Sequence, residues 1–141
     1  MLRSKIKDQR GQALVELALV IPLIMTLLLG IVEFGRIYTA QLTLNNAVRA
    51  GARAASVGDD DVSINNQVTN ICLTNSLTGA ELTINDTTPA FSSRKMGDTV
   101  SVSADYRVNL VVPIIKQIID TVDGTADGKF KVSAEVSMRV E

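Results

Sequence analysis

One acid stands inside an apolar tract. In GQALVELALVIPLIMTLLLGIVEFGR, Gly11 to Arg36, Glu16 falls five positions after Gly11, and from Leu17 to Val32 no side chain carries a charge. A carboxylate among hydrocarbon is costly to desolvate unless a cation pairs with it, so the chemistry on offer is ion pairing. Two readings stand. Glu16 marks the headgroup boundary of the tract, or it meets a partner cation, which a new α-amino group would supply if the chain were cut after Gly11.

Other chemistry lacks its players. The chain has no histidine, no nucleophile with a recognisable base, no paired cysteine ligands and no glycine-rich phosphate loop, so neither an enzyme activity nor a cofactor is expected. Cys72 is alone, which precludes an internal disulfide and reads as a buried thiol. Asp59, Asp60 and Asp61 suit a helix N-terminus, and a metal site there lacks any ligand-spaced continuation. Asp120, Asp123 and Asp127 lack the alternate ligands and closing glutamate of an EF-hand and read as a solvated turn. Net charge is −1 and the basic cluster is confined to the first ten residues, so nucleic acid is not an expected partner.

The element that positions Glu16 is the tract itself. Adding Gln12 to Glu16 brings the apolar run to the ~20 residues that a helix rising ~1.5 Å per residue needs to cross a ~30 Å hydrocarbon core. Ahead of it, MLRSKIKDQR carries Arg3, Lys5, Lys7 and Arg10 against Asp8, and such charge stays in the cytoplasm, which puts the remainder of the chain outside. A secretory signal would have a shorter apolar region and a small-residue cleavage site after it, and neither is present. Pro22 bends the helix within the span, either incidentally or as a device for leaving the bilayer.

Beyond Val32 the helical periodicity runs on through Phe34, Ile37, Tyr38, Leu42, Leu44 and Val48. A helix from Ala13 to Ser56 would be ~66 Å long, so its second half must stand clear of the membrane as an amphipathic stalk. Glu33 and Arg36 are expected to pair on the stalk surface, contributing a few tenths of a kcal/mol. Phe34 and Tyr38 suit an interfacial aromatic anchor. Ala47, Gly51 and Ala55 form a stripe of small residues for close helix packing, against sister subunits or against this chain's own sheet. Arg49 and Arg53 lie one turn apart beside it.

The basic leader, Gly11 and Glu16, together with RGQALVELALVIPL, GIVEFGR and LNNAVRAGARAA, give the chain a resemblance to the TadE-like family of minor pseudopilins from tight-adherence (Flp) pili, dense from Arg10 to Ala55. The resemblance implies a prepilin leader, residues 1–11, removed by a prepilin peptidase after Gly11, so that Gln12 becomes the N-terminus. It implies that Glu16 pairs with the N-terminal amine of a neighbouring pilin subunit. It also implies an assembly platform with its ATPase as partners, an inner-membrane precursor with its N-terminus in the cytoplasm, and a final place in a cell-surface pilus. Major pilins of this system are shorter and carry Tyr beside the Glu, where this chain has Leu17, which favours a minor role. The alternative is an uncleaved membrane-anchored binding protein. In a bacterial chain the N-x-T acceptor Asn85-Asp86-Thr87 is a chance match.

The expected fold is α+β: residues 12–33 the transmembrane half of a long helix, 34–57 its stalk half, and 58–141 a small domain. A short second helix is expected from Asp60 to Ser76, ended by Gly79, then a brief strand from Glu81 to Asn85 and a loop from Asp86 to Asp98. Strict alternation predicts antiparallel strands over Thr99–Leu110 and Lys129–Glu141. Between them Pro113 starts a helix whose Ile114, Ile115, Ile118 and Ile119 make an apolar side, either core or a patch for a neighbouring subunit.

Overall fold

Good helix formers fill the first third of the chain, and no residue after Pro22 interrupts the backbone ladder until Gly58. In the computed structural model, which describes residues 2–77, 79–124 and 127–141 and side chains from Gly11 on except that of Asp123, they form one helix, α1, Leu2–Val57. At ~1.5 Å per residue its 56 residues span ~84 Å. The expected helix was shorter at its start; the backbone is already helical through the leader, whose basic side chains lie outside the described ones. Pro22 is taken up without a break in assignment, and Thr26 Oγ1 donates to the Pro22 carbonyl at 2.8 Å.

Gly58, at φ 101°, stops the helix. The Asp59 amide donates to the Ala54 carbonyl at 3.1 Å and the Gly58 amide to Ala55 at 3.3 Å, which satisfies carbonyls the last turn leaves open. The second helix, α2, Asp61–Thr74, closes in the same way, with Leu77 donating to Cys72 at 3.0 Å and Ser76 to Leu73 at 3.1 Å. Ser76 takes the left-handed turn, φ 66°, where the sequence pointed to Gly79; Gly79 instead opens a short 3-10 turn, Gly79–Glu81.

Three strands follow: β1, Leu82–Ile84; β2, Thr99–Asn109; and β3, Lys129–Arg139. They form an antiparallel sheet in the order β1-β2-β3, with Val102 opposite Val136 and Tyr106 opposite Val132. The helix α3, Pro113–Asp123, joins β2 to β3, starting on Pro113 and ending at Gly124 with φ 70°. The α+β architecture expected from the alternation is therefore present.

One sheet face is core. Val100, Val102, Ala104, Tyr106 and Val108 of β2 are buried, as are Val132 and Ala134 of β3. Leu44, Ala47, Val48, Ala52 and Ala55 of α1 and Ile64, Val68 and Cys72 of α2 cover them completely. The other face is polar and laced across strands: Ser101 and Ser137 share a hydrogen bond of 2.7 Å, and Lys131 pairs with Asp105 at 3.1 Å. The second half of α1 is thus part of the domain's core.

Candidate functional site

From Gly11 to Val32 the side chains of α1 are almost all exposed, and apart from Gln12, Glu16 and Thr26 they are hydrocarbon. Leu19 and Leu23 show over seven-tenths of their surface, which a single chain in water would not sustain without a covering phase. By length and composition this helix can cross a membrane, with a mean hydropathy of 2.6 over its most apolar window and none of that window buried in the fold. Glu16 lies on the exposed part and has no salt-bridge partner among the described residues. Gly11 and Gln12 are likewise exposed, with open space around Gly11.

The expected surface pair at the tract's far end is not on the surface. Glu33 is 2% exposed, while Arg36 is partly open to solvent. The Arg36 guanidinium reaches both carboxylate oxygens, at 3.2 and 3.3 Å, and the Val111 backbone amide donates to Oε1 at 3.0 Å. The reason is tertiary: the connection between β2 and α3 folds over α1 at this level. Gly30, Phe34 and Ile37 of α1 face Ile115 and Ile119 of α3 and Phe130 of β3 around a small apolar cavity. A helical-period signal for this was present, since 33, 37, 40, 44, 47, 51 and 55 recur on one face of α1, and all but Glu33 are apolar.

The small-residue stripe resolves toward the chain's own fold. Ala47 and Ala55 are fully buried, and a Cβ placed on Gly51 would sit 2.7 Å from Val68 Cγ2 and 3.5 Å from Val102 Cγ1. The glycine is what lets α2 lie so close. Arg49 and Arg53 are exposed and line an open groove of about 680 Å³ together with Asn46, Asp59 and Gln67. Phe34 and Tyr38 are exposed, 70% and 58%, beside the end of the tract.

The aspartates after Gly58 divide their work. Asp60 precedes α2, and the Ser63 side chain beside it holds its carboxyl below the usual range. Asp61 turns to the loop instead, pairing with Arg94 and accepting the Phe91 amide at 3.0 Å, while Arg94 also donates to the carbonyls of Asp59 and Pro89. Cys72 is buried in the core, and burial pushes its thiol pKa up, so it is a packing residue. Asn85 donates its amide to Ser103 Oγ at 3.1 Å and Thr87 is buried within the fold. Of the acidic turn after α3, Asp120 accepts the Gly128 amide at 2.9 Å and Asp127 the Lys129 amide at 3.0 Å, whereas the Asp123 side chain lies outside the described ones.

No curated protein and no solved structure matches the chain. Residues 11–53, which hold the apolar tract, Glu16, the buried Glu33 and most of the core face of α1, match the family model described as TadE-like protein, and this makes the chain consistent with a TadE-like protein of the tight-adherence pilus system.

Proposed function

We propose that this chain is a minor pilin of a tight-adherence, type IV-like pilus. It is made as a membrane precursor with its N-terminus in the cytoplasm, cut by a prepilin peptidase between Gly11 and Gln12, and drawn by the assembly platform and its ATPase from the membrane into the pilus. The observation that carries the reading is the pairing of the TadE-like match over residues 11–53 with a half-helix whose apolar surface the fold leaves bare. A surface of that size is covered by lipid before assembly and by the corresponding halves of other pilin subunits afterwards.

In this reading Glu16 is a register device. The α-ammonium of Gln12 on a neighbouring subunit supplies the cation that Glu16 lacks among the described residues of its own chain. In a low-dielectric bundle a displaced carboxylate and a displaced ammonium are each penalised, so only the register that brings them together is stable. The C-terminal domain, residues 58–141 with the stalk half of α1, then sits at the filament surface.

The experiment is the N-terminal residue and mass of the protein from cells with and without the prepilin peptidase. A mature chain starting at Gln12 and dependent on that enzyme is expected. An intact leader in both strains overturns the pilin reading and makes the chain a fixed membrane anchor for its C-terminal domain.

A further inference from the structure

Four large apolar side chains on and beside α3 have nothing over them. Val111 is 70% exposed, Ile114 52%, Ile118 57% and Val122 81%. Ile114, Ile118 and Val122 recur four residues apart and share one side of the helix, bordered by Gln117 and Thr121, while Lys116 and Asp120 take the opposite side. Ile115 and Ile119, on the same apolar arc, turn inward onto α1 and Phe130. The arc is therefore half inside the fold and half outside it.

The place of α3 along α1 says what the outer half meets. β3 climbs the helix, with Phe130 beside Ile37, the Ser133 carbonyl accepting Gln41 Nε2 at 2.9 Å, and the Glu141 amide donating to the Ser56 carbonyl at 3.0 Å. The segment before β3 is consequently the end of the domain nearest the apolar tract. Ile115 Cδ1 comes within 3.8 Å of where a Gly30 Cβ would stand, and Gly30 is inside the uncharged run Leu17 to Val32. The bare face of α3 thus lies beside the end of the tract, where Phe34 and Val111 are exposed as well.

We propose that α3 is an interfacial helix: its Ile114–Ile118–Val122 face seats in the phospholipid surface of the leaflet that the C-terminal domain faces, beside the point where α1 enters it. The inference rests on the reading of the tract as membrane-spanning. A helix with one broad apolar side and a polar back lies in the plane of the headgroup and acyl boundary, and here it is tethered to the spanning helix, so it need not supply affinity of its own. Glu33 then sits at the boundary with its charge turned into the protein and Arg36 partly open beside it, and the seated helix fixes how deep α1 stands in the bilayer.

The chain has no tryptophan, so a single one reports on its own site. Ile118→Trp, Leu23→Trp and Met96→Trp are each placed in the full-length protein and reconstituted, at low protein density, in phosphatidylcholine–phosphatidylglycerol vesicles with brominated acyl chains. Met96 is a solvent reference on a loop beside Val140, at the far end of the sheet. Ile114→Trp repeats the measurement on the same face, and a protected Cys72 thiol shows that each variant is folded. Blue-shifted emission with most of its intensity lost to bromine is expected from Ile118→Trp and Leu23→Trp, and neither change from Met96→Trp. Quenching of Leu23→Trp alone overturns the interfacial role and leaves the spanning helix. Emission from Ile118→Trp that shifts only as protein density rises, without quenching, overturns it in favour of a second copy. An unquenched Leu23→Trp removes the spanning reading and this inference together.

Discussion

The Glu33 carboxylate accepts the Val111 amide at 3.0 Å across 78 positions of sequence, and so fastens the start of the α3 segment to the helix that carries the apolar tract. Truncation, Glu33→Ala, leaves that amide and the Arg36 guanidinium without their acceptor. The penalty for a partly buried donor left unpaired is about 1–3 kcal/mol. Glu33→Gln keeps an oxygen in place for Val111 and should lose less. Hydrogen exchange across residues 110–119 is the measurement: faster exchange in Glu33→Ala, with Glu33→Gln between it and the parent, is expected. Unchanged protection in both variants would mean that apolar contact alone holds α3.

Gly51 predicts an intolerance that its helical setting would not suggest. Replacing a mid-helix glycine ordinarily gains up to ~1 kcal/mol. Here Gly51→Val pushes carbon into the space of Val68 Cγ2, and overpacking of that kind costs about 1–3 kcal/mol. The Cys72 thiol reports the outcome, since burial keeps it unreactive until the domain opens. Labelling by a disulfide reagent should quicken about tenfold for each ~1.4 kcal/mol lost. A Gly51→Val protein labelled no faster than its parent would show that α2 moves aside freely.

Asp105 links the polar sheet face to pH. The Ser133 hydroxyl and then the Lys131 ammonium hold its carboxyl below the usual carboxylate range. Because the folded pKa is the lower one, the stabilisation is complete above the unfolded value, ~3.9, and is lost as pH falls through the folded value. Asp105→Asn should lower the thermal midpoint at neutral pH by a small amount, the pair being partly solvated, and the gap to the parent should close in acid. A gap that stays constant between neutral pH and pH ~2 would assign the effect to lost hydrogen bonding alone.

Glu16→Ala makes the helix only more apolar, so membrane insertion should be unimpaired. If Glu16 pairs as proposed, incorporation into pili should fall in the variant. Parental levels of the variant in sheared pili would sink the pairing role of Glu16.

Where one-dimensional periodicity equals the structural cause, the sequence was readable. The alternation of β2 and β3 names the buried face residue by residue, from Val100 to Val108 and at Val132 and Ala134, with Val136 partly buried behind them, because a half-buried strand has a period of two and nothing competes with it. The apolar run likewise announces its helix. Glu33 and Arg36 were misplaced because an i,i+3 ion pair looks the same in sequence whether solvent or a loop from 78 positions away lies over it. The Ile114–Ile119 run could not be divided into an inner and an outer half either, since the division depends on where α1 passes, and Phe130 and Gly30 decide that. The stop at Ser76 was hidden for a related reason. A left-handed serine costs more than a glycine would, and is held by the hydrogen bonds of Ser76 to Leu73 and Leu77 to Cys72 around a buried core residue.

The helix that bears the core face is made first, and the strand that covers most of it is made late. A ribosome releases Ile37, Leu44, Val48 and Ala52 long before Val132 and Ala134 exist to meet them. During that interval the nascent chain offers one greasy ridge, from the tract to Ala55, in which the part the fold leaves bare and the part the sheet covers are chemically alike. Glu33, followed within one turn by Arg36, is the first charged punctuation in that ridge after Glu16, and it falls where the bare part of the helix gives way to the part the sheet covers.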